Sequence, residues 1–136
     1  MSGRILVVDD QDDIRETARV VLAGAGYEVV TAPSGREALR LARAEAFDLM
    51  LLDINMPDLD GWATLRLVRA DDALEPLRVA MFTVKGEVRD KVASLQDGAV
   101  DYITKPFGID ELVARVARIL DAAHDGDPAV PSASPR

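Results

Sequence analysis

Cysteine is absent from the chain. That excludes disulfide bonds and thiolate-ligated zinc, and it is compatible with a reducing cytosol as the working compartment. Histidine is almost absent: His124 stands alone in a polar C-terminal stretch, where it reads as a surface residue rather than a metal ligand or a phosphodonor. Long hydrophobic runs are missing too. None approaches the roughly 20 residues that a membrane-crossing helix needs. The N-terminal MSGRILVV, with one basic residue and a very short apolar run, lacks the pattern of a secretory signal. Positive charge is in deficit. A net charge of −8 argues against direct nucleic-acid binding by this chain, because phosphate contacts need clustered Lys and Arg. What is present is 136 residues, 49% hydrophobic, which suits one domain with a core of its own.

Short apolar runs alternate with amphipathic segments. The runs fall at residues 4–8, 27–31, 48–52, 78–82 and 100–104, each about the length of a strand. Between and after them, apolar residues recur at helical spacing: Ile14, Ala18, Val21, Leu22 and Ala25; then Trp62, Leu65 and Val68; then Val88, Val92 and Leu95; then Leu112, Val113, Val116, Ile119 and Leu120. Gly24 and Gly26 mark the end of the first helix. Ser34 and Glu37 have the spacing of a capping box for the second. Five strand-then-helix units predict an α/β protein with a parallel sheet and helices on both faces. ILVV and LMLL are apolar at consecutive positions, so they belong to inner strands covered on both sides; the more mixed YEVVTA is an edge. Right-handed crossovers then favour a doubly wound five-stranded sheet of order 2-1-3-4-5. From about Asp121 the composition shifts to Ala, Pro, Ser and Asp, which predicts disorder, either as a free tail or as a linker.

Ligands of such sheets bind at the carboxyl ends of the strands, near the point where strand order reverses. Strand one delivers Asp9 and Asp10 there, strand three Asp53, strand four Thr83 and strand five Lys105, whereas strand two offers only Ala32 and Pro33. A single Asp after a strand most simply caps the following helix, and Asp12 and Asp13 are expected to do so. Three acids on adjacent strand ends are different, because they repel one another and a cation resolves the conflict. With only oxygen ligands on offer, Mg2+ suits the cluster. Lys105 adds a fixed positive charge and Thr83 a hydroxyl, which together suit a phosphoryl group. Asp53, central among them, is the carboxylate best placed to carry it as an aspartyl phosphate.

ILVVDDQDD, DLMLLDINMPDLDG, MFTVKG and GAVDYITKPF jointly resemble the receiver domain of bacterial two-component response regulators, a flavodoxin-like fold. The likeness covers residues 1–122 or nearly so, leaving 123–136 as the tail or linker. It implies that Asp53 is the phosphoacceptor, and that Asp10, Asp53 and the backbone carbonyl of Asn55 hold Mg2+, with Asp9 helping chiefly through water. It implies that Lys105 pairs with the phosphate, that Thr83 bonds to it, that Tyr102 is an aromatic switch, and that the Lys105–Pro106 bond is cis. One position departs from the family: the residue after the switch threonine is usually very small, and here it is Val84, which should narrow access to Asp53.

The resemblance further implies a phosphorylation-dependent signalling switch in the cytoplasm, not an enzyme in its own right, that assists its own phosphorylation and dephosphorylation. It receives its phosphoryl group from a histidine kinase or phosphotransfer protein. The change should appear on the face built from the fourth helical segment, the fifth strand and the fifth helical segment, and should act on a partner protein or an output domain outside this sequence. The C-terminal part is most similar to regulators with winged-helix outputs, which dimerise through that face. Lys91 with Glu111, and Asp101 with Arg115, match two of their ion pairs, while Gln96, Val100 and Ala117 stand where others carry charges. A thinned network predicts at most a weak phosphorylation-dependent homodimer. Among rival readings, a haloacid-dehalogenase-type phosphatase needs a second acid where Asn55 stands, and a flavodoxin-like electron carrier needs a Ser/Thr/Gly phosphate loop where DDQDD would repel the flavin phosphate. A degenerate receiver acting as a constitutive interaction module would have lost an acid, the threonine or the lysine, and none is lost.

Overall fold

In the inner strands, neighbouring residues bury themselves on opposite sides of the sheet. The computed structural model of the chain describes residues 3–84 and 98–124, with 83, 84, 123 and 124 described through their backbone. Its five strands are β1 (Arg4–Val8), β2 (Glu28–Ala32), β3 (Leu49–Asp53), β4 (Arg78–Val84) and β5 (Asp101–Lys105), all parallel, in the order β2-β1-β3-β4-β5. Leu6, Val8, Met50, Leu52, Val79 and Met81 point into one core cluster, and Ile5, Val7, Leu49, Leu51, Ala80 and Phe82 into the other. The consecutive apolar residues of ILVV and LMLL are therefore two alternating sets, one for each face.

Four helices lie among the described residues: α1 (Asp12–Gly24), α2 (Gly35–Ala44), α3 (Gly61–Ala70) and α4 (Ile109–His124), with a 3-10 turn at Asp72–Leu74. α2 and α3 supply Ala38, Leu39, Ala42, Leu65 and Val68 to the first cluster. α1 and α4 supply Ala18, Leu22, Leu112, Val116, Ile119 and Leu120 to the second. α4 is the expected fifth helix, and it continues through Asp121 to His124. The expected helix around Val88, Val92 and Leu95 lies outside the described residues. β2 is partly exposed along its length, as suits an edge strand.

Helix starts separate what is local from what is not. Ser34 caps α2, its side chain accepting from the Glu37 amide, while the Glu37 carboxylate turns to Arg40 instead of closing the box. Asp60 caps α3 in the same way through the Ala63 amide. α1 departs from expectation. Its N-cap is Gln11, which makes no side-chain cap, and Asp12 and Asp13 lie inside the first turn, where carboxylates interact favourably with the helix dipole but do not cap.

The site's geometry depends on one tight approach. A Cβ on Gly61 would lie 2.3 Å from the Asp53 carbonyl oxygen and 2.6 Å from Ile54 Cα, so only glycine lets α3 begin directly against the end of β3. The Gly61 amide donates to the Ile54 carbonyl at 2.9 Å and closes the intervening loop. Gly61→Ala is expected to destabilise the protein by about 1–3 kcal/mol through overpacking against backbone. The measurement is a lowered urea midpoint with an unchanged m-value; a midpoint equal to wild type would show that the contact relaxes without cost.

Candidate functional site

The strand register sets the level of each functional group. Val8 pairs with Leu52, so Asp9 leaves β1 at the height of Asp53, and Asp53 pairs with Phe82. Thr83 and Val84, in register with Thr104 and Lys105, lie just beyond. Parallel neighbours thus bring the carboxyl ends of β1, β3, β4 and β5 to one edge. Lys105 stands past the level of the acids, and its long side chain crosses to them over the Phe82 ring, with Nζ 5.8 Å from the ring centroid. Phe107 stacks on the same ring, with centroids 5.5 Å apart, and the Lys105–Pro106 peptide between them is cis.

The structure brings Asp9, Asp10, Asp53 and Lys105 together. Lys105 Nζ donates to Asp9 Oδ2 at 2.8 Å and to Asp53 Oδ1 at 3.0 Å. Asp9 is fully buried and Asp53 is 4% exposed, whereas Asp10 is exposed at the rim. Each of the three acids offers an oxygen within 4.8 Å of the others. The Gln11 amide holds Asp9 Oδ1 at 3.0 Å, so both oxygens of Asp9 already have donors. Asp53 also accepts from the Asn55 backbone amide.

These contacts determine the charge balance. Burial pushes the Asp53 carboxyl above the ordinary aspartate range; the Lys105 hydrogen bond opposes that shift and the like charge of Asp9 reinforces it. For Lys105, burial works to lower the ammonium, but the hydrogen bonds to Asp9 and Asp53 outweigh it and hold the group above the ordinary lysine range. Three carboxylates against one ammonium leave two formal negative charges. The donor set consists of carboxylate oxygens alone, which fits a small hard divalent cation of the Mg2+ kind and not a soft metal.

Two further groups stand around the cluster that sequence reasoning did not single out. Arg15 of α1 donates from Nη1 to the Asp9 carbonyl at 2.8 Å. Asp58 has φ of 69° in the β3–α3 loop and pairs with Arg36 at 2.6 Å. Neither contact has a spacing rule that would reveal it, since each joins a loop to a different helix. On the far side of β5, Tyr102 is buried in the first core cluster. Arg115 Nη1 holds Asp101 Oδ1 at 2.9 Å and the Tyr102 carbonyl at 3.2 Å, with Glu111 3.9 Å from the same guanidinium. Asp101 and Arg115 therefore pair within one chain. Lys91 lies outside the described residues.

Known proteins share this arrangement of sequence and fold. The family model of the response regulator receiver domain matches residues 5–117. The transcriptional regulatory protein PrrA of Mycobacterium bovis is 45% identical over 119 residues, which are 88% of this chain and 50% of that protein. The alkaline phosphatase synthesis transcriptional regulatory protein PhoP of Bacillus subtilis is 43% identical over 120 residues, 88% of this chain and 49% of its own. Among solved structures, the chemotaxis protein CheY4 of Vibrio cholerae superposes with a TM-score of 0.81 at 33% identity, covering 87% of this chain and 98% of that one. The chain spans about half the length of the curated relatives it matches.

Protons and a divalent cation compete for the same carboxylates. With Asp53 raised from its ordinary value of 3.8, lowering the pH through that raised value protonates Asp53 and expels the cation. Mg2+ affinity, followed by calorimetric titration, is therefore expected to weaken on acidification at a pH above the ordinary aspartate range. A fall confined to below pH 3.8 would show that Asp53 takes no part in binding.

Proposed function

The chain belongs to the response regulator receiver domain family, and on that premise we propose that it is a phosphorylation-dependent switch whose phosphoacceptor is Asp53. The observation that carries this reading is the shared ammonium: Lys105 lies between Asp9 and Asp53 at 2.8 and 3.0 Å, with the exposed Asp10 beside them. A histidine kinase or phosphotransfer protein supplies the phosphoryl group. The Asp53 carboxylate forms the new O–P bond as the N–P bond of the donor phosphohistidine breaks, and the freed imidazole takes up a proton. Lys105 already touches the nucleophile, so its ammonium follows the incoming phosphoryl oxygens without a large movement. The Thr83 hydroxyl, from the neighbouring strand end, adds a donor to the same oxygens.

Asp10, Asp53 and the Asn55 carbonyl are the groups that would hold Mg2+. Asp9, whose two oxygens are engaged by Gln11 and Lys105, contributes by orienting the lysine and through water. Bound there, Mg2+ supplies neutralisation of the charge on the transferred group. The site lies at the open end of the sheet and is built to accept and release a phosphoryl group rather than to turn over a substrate, so the protein assists its own phosphorylation and dephosphorylation without being an enzyme in its own right.

Residues 1–122 form the signalling unit and 123–136 a tail or linker. The new charge acts on Thr83 and Tyr102, and through them on the face formed by the segment around Val88–Leu95, β5 and α4. That face, with Lys91, Asp101, Glu111 and Arg115, engages an effector protein, an output domain or weakly a second copy. The relatives are named as transcriptional regulators; any DNA contact belongs to such an output and not to this acidic chain. No helix among the described residues is long and apolar enough to cross a membrane, and the proposed setting is the cytoplasm.

Asp53→Asn keeps the shape and removes the nucleophile. It is expected to abolish the acid- and base-labile phosphate gained from a cognate kinase or acetyl phosphate, read by intact-protein mass spectrometry. A variant labelled as fully as wild type would move the acceptor elsewhere. A branched residue beside the acceptor should slow both small donors and attacking water, so Val84→Ala is expected to speed phosphorylation by acetyl phosphate and subsequent dephosphorylation. Rates unchanged or lower in that variant would remove the gating role from Val84.

A further inference from the structure

The turn that carries Asp10 lacks the usual device for starting a helix. Gln11 occupies the N-cap of α1 and its side chain caps nothing. The turn is held instead from both sides. The Asp9 amide donates to the Ala32 carbonyl and the Gln11 amide to Asp9 Oδ1. From one turn along α1, Arg15 reaches back: Nη1 donates to the Asp9 carbonyl at 2.8 Å while Nη2 donates to Asp12 Oδ1. Its guanidinium thus brackets the chain on either side of Asp10. The Arg15 side chain is 19% exposed, whereas Asp12 is 87% exposed.

We infer that Arg15 is a positioning residue that holds the β1–α1 turn so that the Asp10 carboxylate converges with Asp53 on a divalent cation. This rests on the reading above that the acidic cluster takes Mg2+. Two effects of opposite sign are at work. As a cation near the cluster, Arg15 repels Mg2+; as a bracket, it preorganises a ligand that is otherwise exposed and free to swing. The bracket wins for two reasons. Asp12, in contact with the same guanidinium, already offsets much of its charge. The bond to the Asp9 carbonyl is partly withdrawn from water, where a charge-assisted hydrogen bond keeps most of its strength.

The opposite signs make the test decisive. Arg15→Met keeps the length of the stem and removes both charge and hydrogen bonds. Arg15→Lys keeps the charge but cannot span both acceptors. Calorimetric titration of the full chain with Mg2+ alone is expected to show Kd raised about five- to tenfold in Arg15→Met, the order of one lost charge-assisted hydrogen bond, and about two- to threefold in Arg15→Lys. Urea unfolding in chelator verifies that each variant is folded before titration, and Arg15→Lys serves alone if the methionine variant is not. A role through charge alone predicts tighter binding in Arg15→Met and no change in Arg15→Lys. Either result in a folded variant would overturn the inference while leaving the proposed function intact. Folded wild-type protein that binds no Mg2+ would overturn the reading of the cluster, and this inference with it.

Discussion

The rest of the site depends on one ammonium shared by two carboxylates. Asp9 is fully buried and Asp53 nearly so, and an isolated buried carboxylate either shifts its pKa until it neutralises or forces the structure open. Lys105 lets both remain, from a side chain that is itself 12% exposed. None of the three is placed independently. The parallel order puts β1 beside β3 and β4 between β3 and β5, so the lysine must cross β4 to reach the acids, and the flat ring of Phe82 provides the crossing. Removing one member of such a buried set leaves its partners uncompensated, typically at about 3–5 kcal/mol. Fold and site are coupled here, and the site's residual negative charge is what makes a divalent cation welcome.

Much of this was legible in the sequence because each strand end announces itself. ILVV and LMLL are apolar at every position only because both faces of an inner strand are covered, and the carboxylates that follow them are conspicuous for that reason. The strand bounds differ by about a residue from those read off the apolar runs. Apolarity stops at Leu52, but the ladder continues through Asp53, which pairs with Phe82 through backbone groups indifferent to its side chain. The start of α1 was misjudged for a related reason. DDQDD offers several residues able to cap, and side-chain identity cannot choose among them; the turn geometry selects Gln11, which does not cap at all. Gly61 and Gly35 were equally silent. Their role is the space they leave, the one against Asp53 and Ile54, the other against Thr64 and Leu59, and no local pattern records an approach between elements distant in the chain. Lys91 and the helix expected around it fall outside the described residues, so that half of the predicted output face rests on sequence.

The two faces of the sheet serve different ends. The cluster under α2 and α3 anchors the loop after Asp53: Leu59 packs on it, Gly35 touches the same loop, and Arg36 pairs with Asp58 from the start of α2. The cluster under α1 and α4 anchors the opposite wall, with Arg15 on the Asp9 turn and Phe107 against Phe82. The acids are therefore gripped by elements on both sides of the sheet, while the space between them is left to a ligand. An exposed pair such as Arg36 with Asp58 contributes little alone, about 0–1 kcal/mol; the grip comes from several weak tethers acting on a loop whose ends are already closed by backbone hydrogen bonds.

β5 carries both ends of the proposed signal. Lys105 at its carboxyl end is held by the acids, and Asp101 at its start is held by Arg115 of α4, which also binds the Tyr102 carbonyl. A five-residue strand hydrogen-bonded on one side only to β4 has few other restraints, so what Lys105 binds bears directly on how the strand sits between the site and α4. On the proposed reading, phosphorylation replaces a carboxylate partner of Lys105 with a more highly charged group of about −1.5 to −2. The ammonium is then drawn outward from Asp9, and Tyr102, two residues from the midpoint of that pull, is buried in the cluster opposite. The Asp101–Arg115 pair closes within one chain at rest, so a second copy or an effector could use these charges only by displacing it. That exchange trades like for like and gains little by itself. The strand's displacement, not the ion pair, must supply the preference for the bound state.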